Sequence, residues 1–282
     1  MILVTGAKGQ LGSDVSAELT KRNIPHISTD VDTLDITDKT AVEKFFSEKG
    51  VSSVIHCAAY TAVDKAESES ELCFKINAEG TENLAEASAK HGAKMLYVST
   101  DYVFPGEGDK PFETDDKKNP QNIYGKSKLL GEEAVKKHLS RYFIVRTSWV
   151  FGEKNTNFIH TMLRLSETRE EVSVVCDQIG SPTYSKDLAR LLSDMIITEK
   201  YGEYHARNEG FCSWNELAEE AFRLAGKNVK VNPVKSEDYK TAAKRPLNSR
   251  LSMATVKENG FTPLQHWKDA VREYLGNILK KK

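Results

Sequence analysis

The sequence predicts an α/β protein in which a doubly wound parallel sheet is followed by a smaller, discontinuous α+β lobe. In the first half, short apolar runs alternate with amphipathic stretches, as in repeated strand–helix–strand units with right-handed crossovers. The apolar runs are continuous rather than alternating, which is typical of strands covered by helices on both faces. Beyond Gly152 the pattern becomes mixed, and this change predicts the second lobe.

The elements of the first half follow in order from these patterns. Strands are predicted at residues 2–5, 24–29, 51–58, 94–99 and 142–148, and helices at 10–22, 39–48, about 64–90 and 123–138. Between them, residues 105–122 contain three prolines and two glycines with little apolar content, which predicts a loop. A loop of this length inside a compact domain is usually functional or mobile.

The second half is predicted to contain four helices and two short strands. The helices fall near 157–167, 186–198, 213–224 and 266–279, and the strands near 172–176 and 203–205. Ser213 and Glu216 have the spacing of a capping box that starts a helix. We expect residues 1–150 to form one domain, with parts of 172–210 as candidates to complete its sheet, and 151–282 to form mainly the second lobe.

Composition excludes several classes of protein. Among 282 residues, 40 Lys and Arg against 41 Asp and Glu give a net charge of −1, so no global field attracts nucleic acid or an anionic membrane. The sequence has no apolar run of about 18 residues that would span a bilayer, and it opens on a predicted strand, without room for a signal peptide. Four scattered cysteines without a Cys-x-x-Cys pair argue against a disulfide framework or structural zinc. A cytoplasmic protein is therefore expected.

Three glycines at the first strand–helix junction predict a dinucleotide site of the Rossmann type. Gly6, Gly9 and Gly12 follow strand 2–5 directly and open the next helix, where glycine permits a tight turn and close approach of a pyrophosphate to backbone amides. Asp30, at the end of the second strand, can accept hydrogen bonds from an adenine ribose and favours NADH. Lys8 could instead meet a 2′-phosphate or be an ordinary surface lysine, so NADPH and NADH both stay open.

Tyr124 and Lys128 form a candidate acid–base pair. Their spacing of four places them on one helix face, immediately after the long loop, and Thr100 ends a strand at the carboxyl edge where ligands of parallel sheets bind. A free tyrosine, with a pKa near ~10, is a poor acid–base group at neutral pH. A nearby ammonium group lowers that pKa, and Thr100 can hold a substrate oxygen.

Six segments together carry a resemblance to a known family. They are 6–12, 57–67, 99–104, 124–128, 146–152 and 177–183. Through them the chain resembles the dTDP-4-dehydrorhamnose reductases, a branch of the extended short-chain dehydrogenases. The resemblance covers nearly the whole chain, including Arg245 and Pro246. Segments 61–67 and 99–104 are specific to this branch, whereas the glycine and Tyr/Lys patterns are shared by the superfamily.

The resemblance implies reduction of a dTDP-bound 4-keto-6-deoxy sugar to dTDP-L-rhamnose. Hydride from NADPH or NADH would attack the fourth sugar carbon, and Tyr124 would donate the proton to the oxygen that develops charge. Lys128 would hold the nicotinamide ribose and tune Tyr124, and Thr100 would bind the same oxygen. The protein would orient the reactants and stabilise the charge that develops on the oxygen, and the cofactor would supply the hydride.

Family position also implies the wider set of contacts. The residues expected around the cofactor are Gly6, Gly9, Gln10, Leu11, Gly12, Asp30, Asp35, Ile36, Ala58, Ala59, Tyr60, Thr61, Tyr124 and Lys128. Those expected to contact the sugar nucleotide are Val63, Thr100, Asp101, Phe104 and Trp149. For Val63 and Phe104, ordinary packing is an equal alternative.

Other functions stay open at this point. Asp101 is followed by Tyr102 rather than by the extra acid that sugar-nucleotide dehydratases need, so reduction is favoured over dehydration. A related nucleotide-sugar reductase or epimerase would use the same Tyr and Lys. The non-catalytic regulatory subunit of methionine adenosyltransferase is also similar, but a pure binding module needs no acid–base pair. We expect a monomer or homodimer; some family members hold a divalent cation such as Mg²⁺, which the sequence does not locate.

Overall fold

A central sheet of six parallel strands organises the protein, as a computed structural model describes it for residues 1–280. The strand order is β10-β5-β4-β3-β1-β2, and every neighbouring pair runs parallel. Helices cover both faces of this sheet, which confirms the predicted doubly wound architecture. No helix among the described residues is long and apolar enough to cross a bilayer.

Strands and helices alternate along most of the chain. The strands are β1 (Ile2–Thr5), β2 (His26–Ser28), β3 (Ser53–His56), β4 (Lys94–Thr100), β5 (Tyr142–Thr147), β6 (Val150–Phe151), β7 (Glu171–Val175), β8 (Ile179–Gly180), β9 (Thr183–Tyr184), β10 (Gly202–His205), β11 (Asn208–Glu209), β12 (Cys212–Ser213), β13 (Lys230–Val234) and β14 (Leu264–His266). The α-helices are α1 (Gln10–Lys21), α2 (Lys39–Lys49), α3 (Val63–Ala66), α4 (Ser70–Phe74), α5 (Gly80–Lys90), α6 (Ile123–His138), α7 (Phe158–Leu165), α8 (Ser185–Ile196), α9 (Trp214–Leu224), α10 (Ala254–Glu258) and α11 (Trp267–Leu279). A π-helical turn spans Lys75–Glu79, and 3₁₀ turns span Asp101–Val103 and Ser236–Asp238.

Two apolar clusters on opposite faces hold the sheet between its helices. Successive residues of β1 point to opposite sides, so Leu3 joins the cluster under α2, α5 and α6, while Val4 joins the cluster under α1 and α8. Both side chains are fully buried. This two-sided burial explains why the strands read as uninterrupted apolar runs in the sequence.

The helical stretch predicted at about 64–90 is wrong as a single helix. It is divided into α3, α4, the π-helical turn and α5. The widened turn at Lys75–Glu79 places Asn77 in the interior, with 1% of its surface exposed. Periodicity alone did not reveal these breaks because each piece keeps a helical pattern.

The second half of the chain contributes both to the sheet and to a smaller lobe. Strand β10 pairs with β5 along the edge of the sheet, and α8 packs against α1. The lobe contains the parallel pair β7–β13 and a separate core that includes Phe151, Tyr184, Trp267 and Tyr274. Residues 105–122 form neither helix nor strand but are tied to the lobe, since the Phe112 amide donates to the Arg250 carbonyl oxygen at 2.9 Å.

Candidate active site

The candidate site lies at the carboxyl ends of β1, β3 and β4. The chain passes from β1 to β2 on one side and then crosses to β3 on the other, so β1 and β3 flank the point where the strand order reverses. In open parallel sheets the loops at such a point diverge and leave a crevice for a ligand. The predicted glycine loop follows β1, and residues 57–61 follow β3.

The glycine loop has the shape that a pyrophosphate requires. Gly6 has φ +67°, and a Cβ atom there would lie 2.7 Å from the backbone nitrogen of Ala58. Gly9 caps α1 in an extended conformation (φ −70°, ψ 170°), and no side chain caps the helix there. The first amides of α1, from Gln10 to Gly12, therefore donate no hydrogen bond to a capping side chain at Gly9. These residues fit the phosphates of a dinucleotide.

The predicted adenosine residues lie in different surroundings. Asp30 Oδ2 accepts a hydrogen bond from the Lys8 amide at 2.8 Å, and the Lys8 ammonium pairs with Asp32 at 2.5 Å. Exposed Asp35 accepts hydrogen bonds from the amide and hydroxyl of Thr37. The Ile36 side chain, by contrast, is packed in the core with 6% exposure.

The loop after β3 is fixed by a side chain that the sequence did not single out. Asn77 accepts a hydrogen bond from the Tyr60 amide at 2.8 Å and donates to the Tyr60 carbonyl oxygen at 3.1 Å. It also donates to the Ser127 hydroxyl at 2.9 Å. Asn77 therefore holds the segment of Ala58, Ala59, Tyr60 and Thr61 against the helix that carries the candidate acid–base pair. The Tyr60 hydroxyl also donates a hydrogen bond to Glu69 at 2.5 Å.

Helix α6 and strand β4 bring the three predicted catalytic residues together. Asn122 caps α6 by accepting a hydrogen bond from the Gly125 amide, and this fixes where Tyr124 and Lys128 lie. Lys128 is 3% exposed and donates from Nζ to the Val98 carbonyl oxygen at 2.7 Å. Its Nζ also lies 4.1 Å from the centre of the Tyr97 ring. Buried Thr100 interacts with the Tyr124 phenol.

Burial dominates the electrostatics of this pair. It raises the pKa of the Tyr124 phenol, and a hydrogen bond with Thr100 works against the rise. It lowers the pKa of the Lys128 ammonium to about 7, while Glu132 acts in the opposite direction. In the protein alone the Tyr124 pKa is thus raised rather than lowered, because desolvation of the phenol outweighs the effects that favour the phenolate.

The residues predicted to contact the sugar differ in burial and in the side chains that they contact. Asp101 lies beside Thr100, which donates to it at 3.0 Å, and burial raises its pKa to about 6. Val63 begins α3 and is half-buried. The Phe104 ring is 1% exposed and stacks on the Phe112 ring, with ring centroids 4.7 Å apart, and it also lines the neighbouring cavity. Trp149 has φ +49° and stacks on Trp214, with ring centroids 3.7 Å apart.

A cavity of about 130 Å³ opens next to this group. Tyr102 and Pro105 line one side, and Lys244, Arg245 and Pro246 from the second lobe line the other. Arg245 is anchored by an ion pair with Asp64 at 2.6 Å. The lobe therefore contributes one wall beside the end of β4. Sequence reasoning noted Arg245 and Pro246 only as part of a resemblance.

One further cluster has the composition of a metal site. Glu82, Glu86 and His138 bring ligand atoms within 4.8 Å of one another on the outer face of α5 and α6. Glu82 is paired with Lys137 at 2.8 Å, and Glu86 is paired with Lys39. These lysines already balance the carboxylates. The cluster is also separate from the candidate site.

Comparison with known proteins agrees with this architecture. A family model described as "RmlD substrate binding domain" matches residues 1–279. The chain belongs to this family. It is 40% identical over 274 residues to the spore coat polysaccharide biosynthesis protein SpsK of Bacillus subtilis, covering 97% of this chain and 96% of that protein.

Two solved structures are similar over almost their whole length. A dTDP-4-dehydrorhamnose reductase from Clostridium acetobutylicum superposes with a TM-score of 0.96 and 45% identity, covering 99% of each chain. A dTDP-4-dehydrorhamnose reductase from Bacillus anthracis, solved in complex with NADP, superposes with a TM-score of 0.95 and 43% identity, covering 98% of each chain. Members of the family thus include reductases that share this fold, which confirms the resemblance read from the sequence.

Proposed function

We propose that the protein reduces the 4-keto group of dTDP-4-dehydro-L-rhamnose to dTDP-L-rhamnose, using NADPH or NADH. The observation that carries the proposal is the hydrogen bond between Thr100 and Tyr124, with buried Lys128 one helical turn beyond Tyr124, at the same carboxyl edge of the sheet as the glycine loop. Relatives named dTDP-4-dehydrorhamnose reductase support the choice of substrate. In this proposal, residues 1–150 together with β10 and α8 bind the dinucleotide, and the remainder forms the substrate lobe.

The residues for cofactor binding follow from the geometry. The amides at the start of α1 would hold the pyrophosphate, and Asp30 would accept hydrogen bonds from the adenosine ribose. Bound NADPH or NADH would supply the hydride. Lys128, whose ammonium is held by the Val98 carbonyl oxygen of β4, would donate to the nicotinamide ribose.

Tyr124 is the proposed proton donor. Tyr124 would donate its phenol proton to the ketone oxygen, whose double bond to the fourth sugar carbon would become a single bond on addition of hydride. The cofactor would supply two electrons as hydride and Tyr124 would supply the proton, so the reduction of the ketone to an alcohol balances. A phenol whose pKa is raised by burial stays protonated at neutral pH, which is the state an acid needs. Thr100 would hold the same oxygen.

The substrate is proposed to lie between the end of β4 and the second lobe. Arg245 of the second lobe lines this space, and Asp101 and Trp149 are proposed to contact the sugar. Arg245 carries a positive charge suited to a nucleotide diphosphate. We propose a cytoplasmic location and a monomer or homodimer, with a dTDP-sugar as the small-molecule partner and neither nucleic acid nor membrane as a target. No residue is assigned to a divalent cation.

The test is turnover with defined substrates. Purified protein is mixed with NADPH or NADH and dTDP-4-dehydro-L-rhamnose, and the loss of reduced nicotinamide is followed by absorbance. We expect stoichiometric oxidation and dTDP-L-rhamnose as the product by chromatography and NMR. Absence of oxidation by either cofactor would defeat the proposal. Formation of an isomeric sugar without net oxidation would indicate an epimerase instead.

A further inference from the structure

Glu132 lies one helical turn beyond Lys128 on α6, and adjacent residues of β4 hold the two side chains. Lys128 donates to the Val98 carbonyl oxygen at 2.7 Å, and the Ser99 hydroxyl donates to Glu132 Oε1 at 2.6 Å. Glu132 is 0% exposed and Lys128 is 3% exposed. The carboxylate and the ammonium therefore share the dry interface between helix and sheet, where charges interact strongly.

Among the ionisable groups that act on Lys128, Glu132 is the one that carries negative charge at neutral pH. Cys57 and Cys73 also face the ammonium, but burial raises the pKa of each thiol, that of Cys57 to about 12, so both are neutral. His56 is neutral as well, because burial lowers its pKa to about 3. The Tyr97 ring beneath the ammonium is likewise uncharged, since burial raises its pKa.

Arg146 fixes Glu132 in place. It donates from Nε and Nη2 to the two carboxylate oxygens at 2.7 and 2.6 Å, and its side chain is 0% exposed. The same guanidinium contacts Glu203 and donates to the Thr114 carbonyl oxygen at 3.0 Å. These contacts fix the orientation of the Glu132 carboxylate, one helical turn beyond Lys128.

We propose that the Glu132–Arg146 pair is a positioning element for Lys128: the carboxylate favours the ammonium form of Lys128, and the guanidinium keeps that carboxylate in place. Neither residue lines the crevice, so neither is a catalytic residue. The inference deepens the proposed function, because it concerns the group expected to hold the nicotinamide ribose. A purely structural ion pair would stabilise the fold without affecting the charge of Lys128.

The direct test is the protonation of Lys128 without any substrate. Lysine Cε and Nζ resonances are followed by NMR against pH in isotope-labelled protein, and the Lys128 signal is identified by its loss in Lys128→Arg. We expect wild type to titrate near pH 7, because burial lowers the pKa of Lys128 to about 7. In Glu132→Gln the midpoint should fall by about one pH unit or more. An unchanged midpoint overturns the proposal, whether or not the protein is a reductase.

Two matched variants separate charge from packing. Glu132→Asp keeps the carboxylate and should leave the Lys128 midpoint near that of wild type. Glu203→Gln removes the other carboxylate partner of Arg146, which is 22% exposed, and should also leave the midpoint unchanged. A midpoint shifted equally in Glu203→Gln would mean that Arg146 packing, not the Glu132 charge, controls Lys128, and would overturn the proposal.

A double variant covers the case in which Glu132→Gln does not fold. Removing one partner leaves a buried charge, whereas replacing both partners is far better tolerated. Glu132→Gln combined with Arg146→Met should therefore fold and still show the lowered Lys128 midpoint. In active protein, the alkaline limb of the pH–rate profile should move to lower pH by the same amount. A reduced rate with the limb in its wild-type position would contradict the proposal.

Discussion

The ring of Tyr102 meets the ring of Tyr124 edge to face, with centroids 5.6 Å apart and planes at 77°. The hydroxyl of Tyr102 in turn accepts a hydrogen bond from Arg245 at 3.5 Å, and Arg245 pairs with Asp64. Tyr102, which stands at the position expected to hold an acid in a dehydratase, thus links the ring of Tyr124, the proposed proton donor, to Arg245 of the second lobe. Aromatic pairs in this geometry contribute about 0.5–1.5 kcal/mol beyond their buried area.

Tyr124→Phe is expected to remove most turnover, by roughly 10²–10⁴-fold, since the phenol is the proposed acid. The ring and its contact with Tyr102 are retained, so NADPH binding, measured by fluorescence titration, should change little. Tyr102→Phe is the matched control, because it also removes one hydroxyl from the same aromatic pair and should keep most of the rate. Wild-type turnover in Tyr124→Phe would remove this residue from the mechanism.

Asp30→Ala is expected to impair NADH use more than NADPH use. The carboxylate lies at the end of β2, where it can accept hydrogen bonds from a ribose, and the nearby Lys8 can meet a 2′-phosphate if it leaves Asp32. The measurement is kcat/KM for each cofactor. Lys8→Met serves as the opposite control and should impair NADPH selectively. Equal losses for both cofactors in Asp30→Ala would contradict the assignment.

Gly6→Ala is expected to destabilise the protein more than Gly50→Ala does. Both glycines have positive φ, +67° and +60°, so both substitutions carry the left-handed backbone cost of roughly 1–2 kcal/mol. Only at Gly6 would the new Cβ also meet the backbone of Ala58, whereas Gly50 has open space around it. The thermal midpoint should therefore fall further, and NADPH binding should be lost, in Gly6→Ala alone. Equal midpoints would argue against a tight loop.

Asp101→Asn is expected to change how stability depends on pH. Burial raises the pKa of Asp101 from 3.8 to about 6, so the folded state favours the protonated acid. That contribution to stability is complete below about pH 4 and is lost as the pH rises to about 6, a cost on the order of 3 kcal/mol. Asparagine cannot ionise, so the free energy of unfolding of the variant should rise relative to that of wild type between pH 4 and pH 7. Urea unfolding of both proteins at pH 4 and pH 7 checks the expectation. An equal change in the free energy of unfolding of wild type and variant between the two pH values would refute it.

The sequence predicted the framework well because its patterns are local. Strand β1 and helix α6 have the predicted bounds, since the first is a short apolar run before the glycine loop and the second begins at a capping asparagine. Strands β2 and β3 are shorter than predicted. Apolar residues continue past the point where the chain leaves the sheet, and periodicity does not mark that point.

The support of the candidate site was not predictable, because it depends on contacts between distant segments. Thr100, Tyr124 and Lys128 could be chosen from residue type and position. Their surroundings could not: Asn77 reaches inward only because of a π-helical turn, and Glu132 meets Arg146 only once α6 packs on the sheet. The same burial reversed the expected direction of the Tyr124 pKa, which no spacing in the sequence reveals.

The placement of β10 limits how the protein can be dissected. Expression of residues 1–150 alone would leave out the strand that pairs with β5, and the amides and carbonyls along one edge of this buried strand, which includes Ile144 and Val145, would face solvent. Such an edge recruits other strands, so the truncated fragment should aggregate rather than bind nucleotide. The amino-terminal half therefore acquires a complete sheet only after synthesis has passed His205, which makes folding of the two halves interdependent.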